Sequence, residues 1–157
     1  MNIRLIAIGK TDNKNLISLI EDYQNRLRFY TNFSIDIIPD IKNAKNISQD
    51  QQKQKEGELI LKKLEPNEGL ILLDERGKEF TSVNFSDFIQ KKMNTGIKQF
   101  SFVIGGAYGF SESVYKRAND LISLSRLTFS HQMVRLFFIE QLYRAFTILN
   151  NEPYHHQ

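Results

Sequence analysis

At 157 residues, 41% of them hydrophobic and 25% charged, the chain is long enough for one compact core and too mixed for a disordered or fibrous protein. The absence of cysteine excludes disulfides, zinc-finger spacing and thiol catalysis, and it suits a cytosolic protein. A net charge of +3, from 21 Lys+Arg against 18 Asp+Glu, permits an RNA partner without demanding one.

The N-terminal run IRLIAIG predicts a buried strand ending at Gly9. It lacks the features of a signal peptide, and no stretch reaches the ~20 apolar residues that span a bilayer, so no membrane partner is expected. Residues 12–30 repeat Leu16, Leu19, Ile20, Tyr23 and Leu27 at helical spacing, with Asp12 as N-cap. FSIDIIPD reads as a second strand closed by Pro39. The polar stretch after it divides into a loop and, from Ser48 on, an exposed helix anchored by Leu59, Ile60 and Leu64. A third strand, Leu70 to Leu73, leads into a charged turn at Gly77 and a helix from about Phe85 to Met93, capped by Ser82 or Asn84. FSFVIGG gives a fourth strand, residues 111–121 a helix, LISLSRLTF a fifth strand, and Gln132 to Asn150 a last helix. This alternation predicts an α/β fold: a mostly parallel sheet with helices on both faces, in a single domain spanning 1–157.

Several stretches carry possible chemistry. FVIGGAYGF places Gly105, Gly106 and Gly109 at the C-terminal end of a strand, where open α/β sheets bind ligands. The spacing is neither a dinucleotide fingerprint nor a Walker motif, and a tight strand-to-helix turn explains it equally well. Arg126, Thr128, His131 and Arg135 bunch where a strand-like run meets the last helix; a cap at Ser130 with solvated His and Arg is the plainer reading. The last helix is apolar almost all round, with only Glu140, Arg144 and Thr147 as a polar strip. That pattern suits packing on the sheet on one side and on a partner subunit on the other. Arg135 and Arg144 fall on opposite faces, so one can serve its own subunit and the other the partner. The tail NEPYHHQ carries Tyr154 beside His155 and His156; a loose C-terminus explains it as readily as a site does. No triad, HExxH or kinase signature occurs. The adjacent histidines lack a third ligand at zinc spacing, so no metal is expected.

Taken in order, LDERGK (73–78), FVIGGAYG (102–109), SLSRLTF (123–129), HQMVR (131–135), EQLYRA (140–145) and PYHH (153–156) give the chain a resemblance to the RlmH family along some 150 residues. These are small SPOUT-class methyltransferases that modify N3 of a pseudouridine in the helix 69 loop of 23S rRNA. The resemblance implies a C-terminal trefoil knot, a cytoplasmic homodimer acting on assembled ribosomes, and S-adenosyl-L-methionine as methyl donor. It implies cofactor contacts in three loops, at Leu73, at Gly105, and at Leu124, Ser125, Arg126, Leu127, Thr128 and Phe129. Arg144, Tyr154 and His155 correspond to its functional residues at the subunit interface. His131 and Arg135 fall near the knot with structural roles first, and His156 is read as tail. Lys91, Lys92, Lys116 and Arg117 are phosphate contacts or, more simply, solvated charges. Ser130 stands where the family usually has proline. The alternatives are a ribosome- or RNA-binding dimer that has lost transfer, or a SPOUT enzyme with another RNA target.

Overall fold

The computed structural model describes residues 1–156. Five strands, β1 (Asn2–Ile8), β2 (Asn32–Ile38), β3 (Gly69–Glu79), β4 (Gln99–Ile104) and β5 (Asp120–Ser123), alternate with five helices: α1 (Lys14–Leu27), α2 (Gln49–Lys62), α3 (Ser82–Met93), α4 (Glu112–Arg117) and α5 (His131–Leu149). The strands form one sheet in the order β2-β1-β4-β3-β5, and every pairing is parallel. Parallel neighbours need crossovers, and the intervening helices supply them.

Side chains alternate across the pleat, so each strand feeds two cores. Ile3, Leu5, Phe100, Phe102 and Ile71 point to the face that α1, α3 and α5 cover. Ile6, Val103, Leu70 and Leu72 point to the face that α2 and α4 cover. On the first face α5 lies between α1 and α3, and Phe138 packs at a tilt against Phe102 with ring centroids 4.7 Å apart. Below the second, Arg4 donates to Glu68 (2.9 Å), to the Lys63 carbonyl (2.8 Å) and to Ser101 (2.9 Å), tying the α2–β3 connection to the sheet.

Several expected boundaries move, each for a local reason. Asn13, not Asp12, caps α1; Asp12 instead accepts from Gln132 at 2.7 Å and so clamps the start of α5. Thr81 caps α3, because Ser82 donates to Gln141 of α5. Strand β3 does not turn at Gly77. Ile122 is the partner of both Leu73 and Lys78, so residues 74–77 bulge out of the ladder and the strand resumes. A Cβ at Gly77 would stand 2.4 Å from the Ile122 backbone, so only glycine lets β3 run past β5 there. Helix α4 stops at Arg117, and Asn119 then bonds the β3 backbone through its N–H and its side chain. Strand β5 ends at Ser123 because serines then capture the chain: Ser123 donates to the Ser125 carbonyl, and the Ser125 hydroxyl accepts from the Leu127 N–H. Residues 124–130 are therefore a loop. Ser130 caps α5, accepting from the Met133 N–H at 3.2 Å.

Much of the apolar circumference of α5 is covered within the chain. The sheet, α1 and α3 enclose most of it, and Thr147, expected in the polar strip, is fully buried. Met133 and Phe137 remain as its exposed apolar residues. Among the described residues no helix is long and apolar enough to cross a membrane.

Candidate active site

Beyond the C-terminal ends of β3, β4 and β5, three loops enclose a cleft of about 900 Å³. The β3 bulge contributes Leu73, Asp74 and Arg76. The glycine loop after β4 contributes Gly105 to Gly109, and the loop after β5 contributes Leu124, Ser125, Leu127, Thr128 and Phe129. The glycine loop is a tight hairpin, closed by the Gly109 N–H donating to the Gly106 carbonyl at 3.2 Å, with Gly109 at φ +80°. Seven of the eight cofactor residues expected from the sequence thus line the cleft. Arg126 does not join them; its guanidinium turns outward to Glu79 at 2.7 Å.

The lining also includes Asp74, Arg76 and Tyr115, to which the sequence patterns gave no role. The Asp74 carboxylate accepts from the Tyr115 hydroxyl, and from the backbone N–H and guanidinium of Arg76. The Arg76 guanidinium lies 4.6 Å over the Tyr115 ring. Burial works to raise the Asp74 pKa, but these donors outweigh it and hold the carboxyl below its ordinary value. The bulge in β3, invisible to periodicity, brings Asp74 and Arg76 to the cleft.

Arg144, Tyr154 and His155 also meet, at a second place. Glu140, one turn before Arg144 on α5, is their hub: its Oε1 accepts from Arg144 Nη2 at 2.5 Å and from the Tyr154 hydroxyl at 3.0 Å. Tyr23 of α1 lies 3.0 Å from the Tyr154 hydroxyl, and the Arg144 guanidinium covers the Tyr154 ring at 4.6 Å. Arg144 Nη1 reaches His155 Nδ1 at 3.3 Å. An arginine only donates, so Nδ1 accepts, and a neutral His155 carries its proton on Nε2. Burial, then the hydrogen bonds to Tyr23 and Glu140, push the Tyr154 phenol well above its usual range, so it stays neutral. The hydrogen bond to Glu140 raises the Arg144 pKa against the effect of burial. The tail is thus a built structure: after α5, Glu152 accepts from Tyr30 at 2.6 Å and fixes the chain's exit. Tyr30 is pushed up to about 12, first by that hydrogen bond and then by burial.

The tail cluster does not line the cleft of its own chain. A smaller apolar hollow of about 210 Å³ shares Ser123, Leu124 and Phe129 with the cleft and reaches Glu140. His131 lines the cleft, whereas Arg135 is buried, donating to the Ile8 carbonyl (2.8 Å) and to Thr11 (2.7 Å); it braces the end of β1. Lys92 pairs with Asp120 and Lys116 with Glu112, while Arg117 donates to the Glu68 carbonyl.

Residues 1–155 match the family described as "Predicted SPOUT methyltransferase". The chain is 71% identical to a ribosomal RNA large subunit methyltransferase H of Flavobacterium psychrophilum and 69% identical to that of Flavobacterium johnsoniae, over 157 residues and the full length of each. It is 62% identical to the Parabacteroides distasonis protein of the same name, again end to end. Among solved structures, a probable methylase family protein from Haemophilus influenzae shares the fold at a TM-score of 0.54 and 13% identity, with 99% of this chain and 70% of that one covered. The cleft at the strand ends and the match over nearly the whole chain lead to one assignment: this protein belongs to the SPOUT methyltransferase family.

Proposed function

We propose that the chain is a single-domain, S-adenosyl-L-methionine-dependent methyltransferase acting on N3 of a pseudouridine in the helix 69 loop of 23S rRNA, in the cytoplasm and on assembled ribosomes. The observation that carries this reading is end-to-end identity of up to 71% to relatives named for large-subunit rRNA methylation. An intact cleft and an intact tail cluster accompany it, which disfavours a binding protein that has lost transfer.

The cleft suits the methyl donor. Its volume falls in the range of roughly 300–1,000 Å³ usual for small-molecule sites. Glycine backbone, apolar Leu73, Leu124 and Phe129, and polar Ser125 and Thr128 together match a ligand with a flat base, a ribose and a charged chain. Bound there, S-adenosyl-L-methionine supplies an electrophilic methyl group on its sulfonium.

The remaining work is orientation and charge. Loss of the N3 proton to solvent water places negative charge on the flanking carbonyl oxygens, and Arg144, kept cationic by Glu140, stabilises it. His155 donates from Nε2 to orient the base, and neutral Tyr154 offers a ring for it to stack against. Because this cluster lies outside the cleft of its own chain, we propose a homodimer in which the tail of one subunit completes the cleft of the other. Exposed Met133, Phe137 and Leu127 provide an apolar surface between the two regions. The knot implied by the family resemblance belongs to the same proposal, as the device that fixes the loop after β5 beside the glycine loop.

Methyl transfer from labelled S-adenosyl-L-methionine to ribosomes lacking this methyl group tests the assignment. Arg144→Ala and His155→Ala should each lower kcat/KM by about 100-fold or more, with donor binding unchanged. Near-full turnover of both variants would sink the assignment.

A further inference from the structure

Glu56 has no part in the chemistry above, yet it is one of the most deeply buried charged residues, 3% exposed in the middle of α2. Its Oε1 accepts from Gln52 at 3.1 Å, while Oε2 has no partner. Both oxygens are aimed at Gly106 of the glycine loop: a Cβ there would stand 2.3 Å from Oε2 and 2.6 Å from Oε1. Gly105 is gripped separately, where a Cβ would stand 3.1 Å from the Phe110 ring. The floor of the loop that lines the cleft therefore rests on a carboxyl group and an aromatic ring.

The state of that carboxyl follows from its surroundings. Burial is the largest influence and favours the neutral acid. Asp40, on the connection after β2, adds to it, while Gln52 and His131, at the start of α5, oppose it. A carboxylate in this position would lack an ion-pair partner and leave one oxygen without a hydrogen bond. The neutral acid instead places no buried charge beneath the loop while presenting the same two oxygens to Gly106.

We propose that Glu56, in its protonated form, is a positioning residue for the glycine loop, and that cofactor binding in the cleft is coupled to retention of that proton. The inference rests on the reading of the cleft as the cofactor site. Ionisation puts an uncompensated charge under Gly106 and displaces the loop. Reciprocity then requires that bound cofactor favours the acid.

Calorimetric titration of the full chain with S-adenosyl-L-methionine, across a pH series and in two buffers of different ionisation heat, tests it. The Kd should be flat while Glu56 is protonated, then rise by up to about tenfold per pH unit, with uptake of up to about one proton per cofactor bound. Glu56→Gln, neutral and of the same shape, should match the wild type within about twofold on the flat part and lose both the slope and the proton uptake. Glu56→Ala should bind about tenfold more weakly at every pH. A wild-type slope retained in Glu56→Gln, or wild-type binding without proton uptake, overturns the proposal. If the wild type binds no cofactor, the cofactor reading fails by itself. Thermal unfolding of the free protein then decides: Glu56→Gln should overtake the wild type as pH rises, and equal Tm at every pH overturns the protonated state of Glu56.

Discussion

Asp74 stands where β3 leaves its ladder with β5, and its carboxylate is surrounded by donors rather than by water. Its pKa is held below the ordinary carboxylate value, so its contribution to stability is fully present above that value and is lost as pH falls through the folded-state pKa. Tyr115→Phe removes the hydroxyl donor while keeping the ring that Arg76 covers. The expected cost at neutral pH is about 1.5–3 kcal/mol, the usual worth of a hydrogen bond to a charged group. The same substitution should narrow the gap between neutral and acid stability, because the Asp74 pKa moves back toward its ordinary value. Urea unfolding of both proteins at neutral pH and near pH 3 checks this. An equal acid-induced loss in the two proteins would mean that the tyrosine does not hold Asp74 ionised.

At the scale of elements, the start of α5 shows how one residue settles a junction. Ser130 has φ −61° and ψ 150°, and its side chain accepts from the Met133 N–H. Ser130→Ala should therefore cost about 1 kcal/mol, as for other N-caps. Proline fits this φ, and Ser130 donates no backbone hydrogen bond to the protein, so Ser130→Pro should recover about 0.4–1 kcal/mol of that loss through the unfolded chain. Melting curves of the three proteins should rank serine and proline close together, with alanine lowest. The sheet and the helices were legible because alternation and 3.6-residue spacing report burial directly. Ends and bulges were not, because they depend on single hydrogen bonds between distant residues. Gln132 claims Asp12, Gln141 claims Ser82, and Ile122 faces two residues of β3 at once. The glycine loop and the loop after β5 could be placed at the cleft from the family resemblance. The outward turn of Arg126 could not, since Glu79 lies 47 residues away in sequence.

For the whole molecule, the proposed function requires the cleft and the tail cluster to meet at one base. The cleft opens at the C-terminal ends of the strands, whereas the tail cluster gathers around Glu140 and Arg144 in the second half of α5 and does not line it. Arg144 stands ten residues beyond Val134, which lines the cleft; at 1.5 Å per residue that is about 15 Å along α5, so within one chain the cluster stays clear of the cleft. The proposed homodimer removes the difficulty, since a twofold axis that set each tail against the other subunit's cleft would complete both sites. Two inactive variants should then rescue each other. Arg144→Ala damages the tail, and Thr128→Arg, at an exposed position lining the cleft, blocks donor binding there. Mixed after unfolding and refolded together in equal amounts, they give about half mixed dimers, and each mixed dimer holds one complete site built from the two undamaged parts. Transfer should return to about a quarter of the wild-type rate, while either variant alone stays near background. If tail and cleft acted within one chain, every mixed dimer would carry two broken sites. Recovery near a quarter therefore assigns the tail to the partner's cleft, and no recovery from a mixture proven to contain mixed dimers returns it to its own.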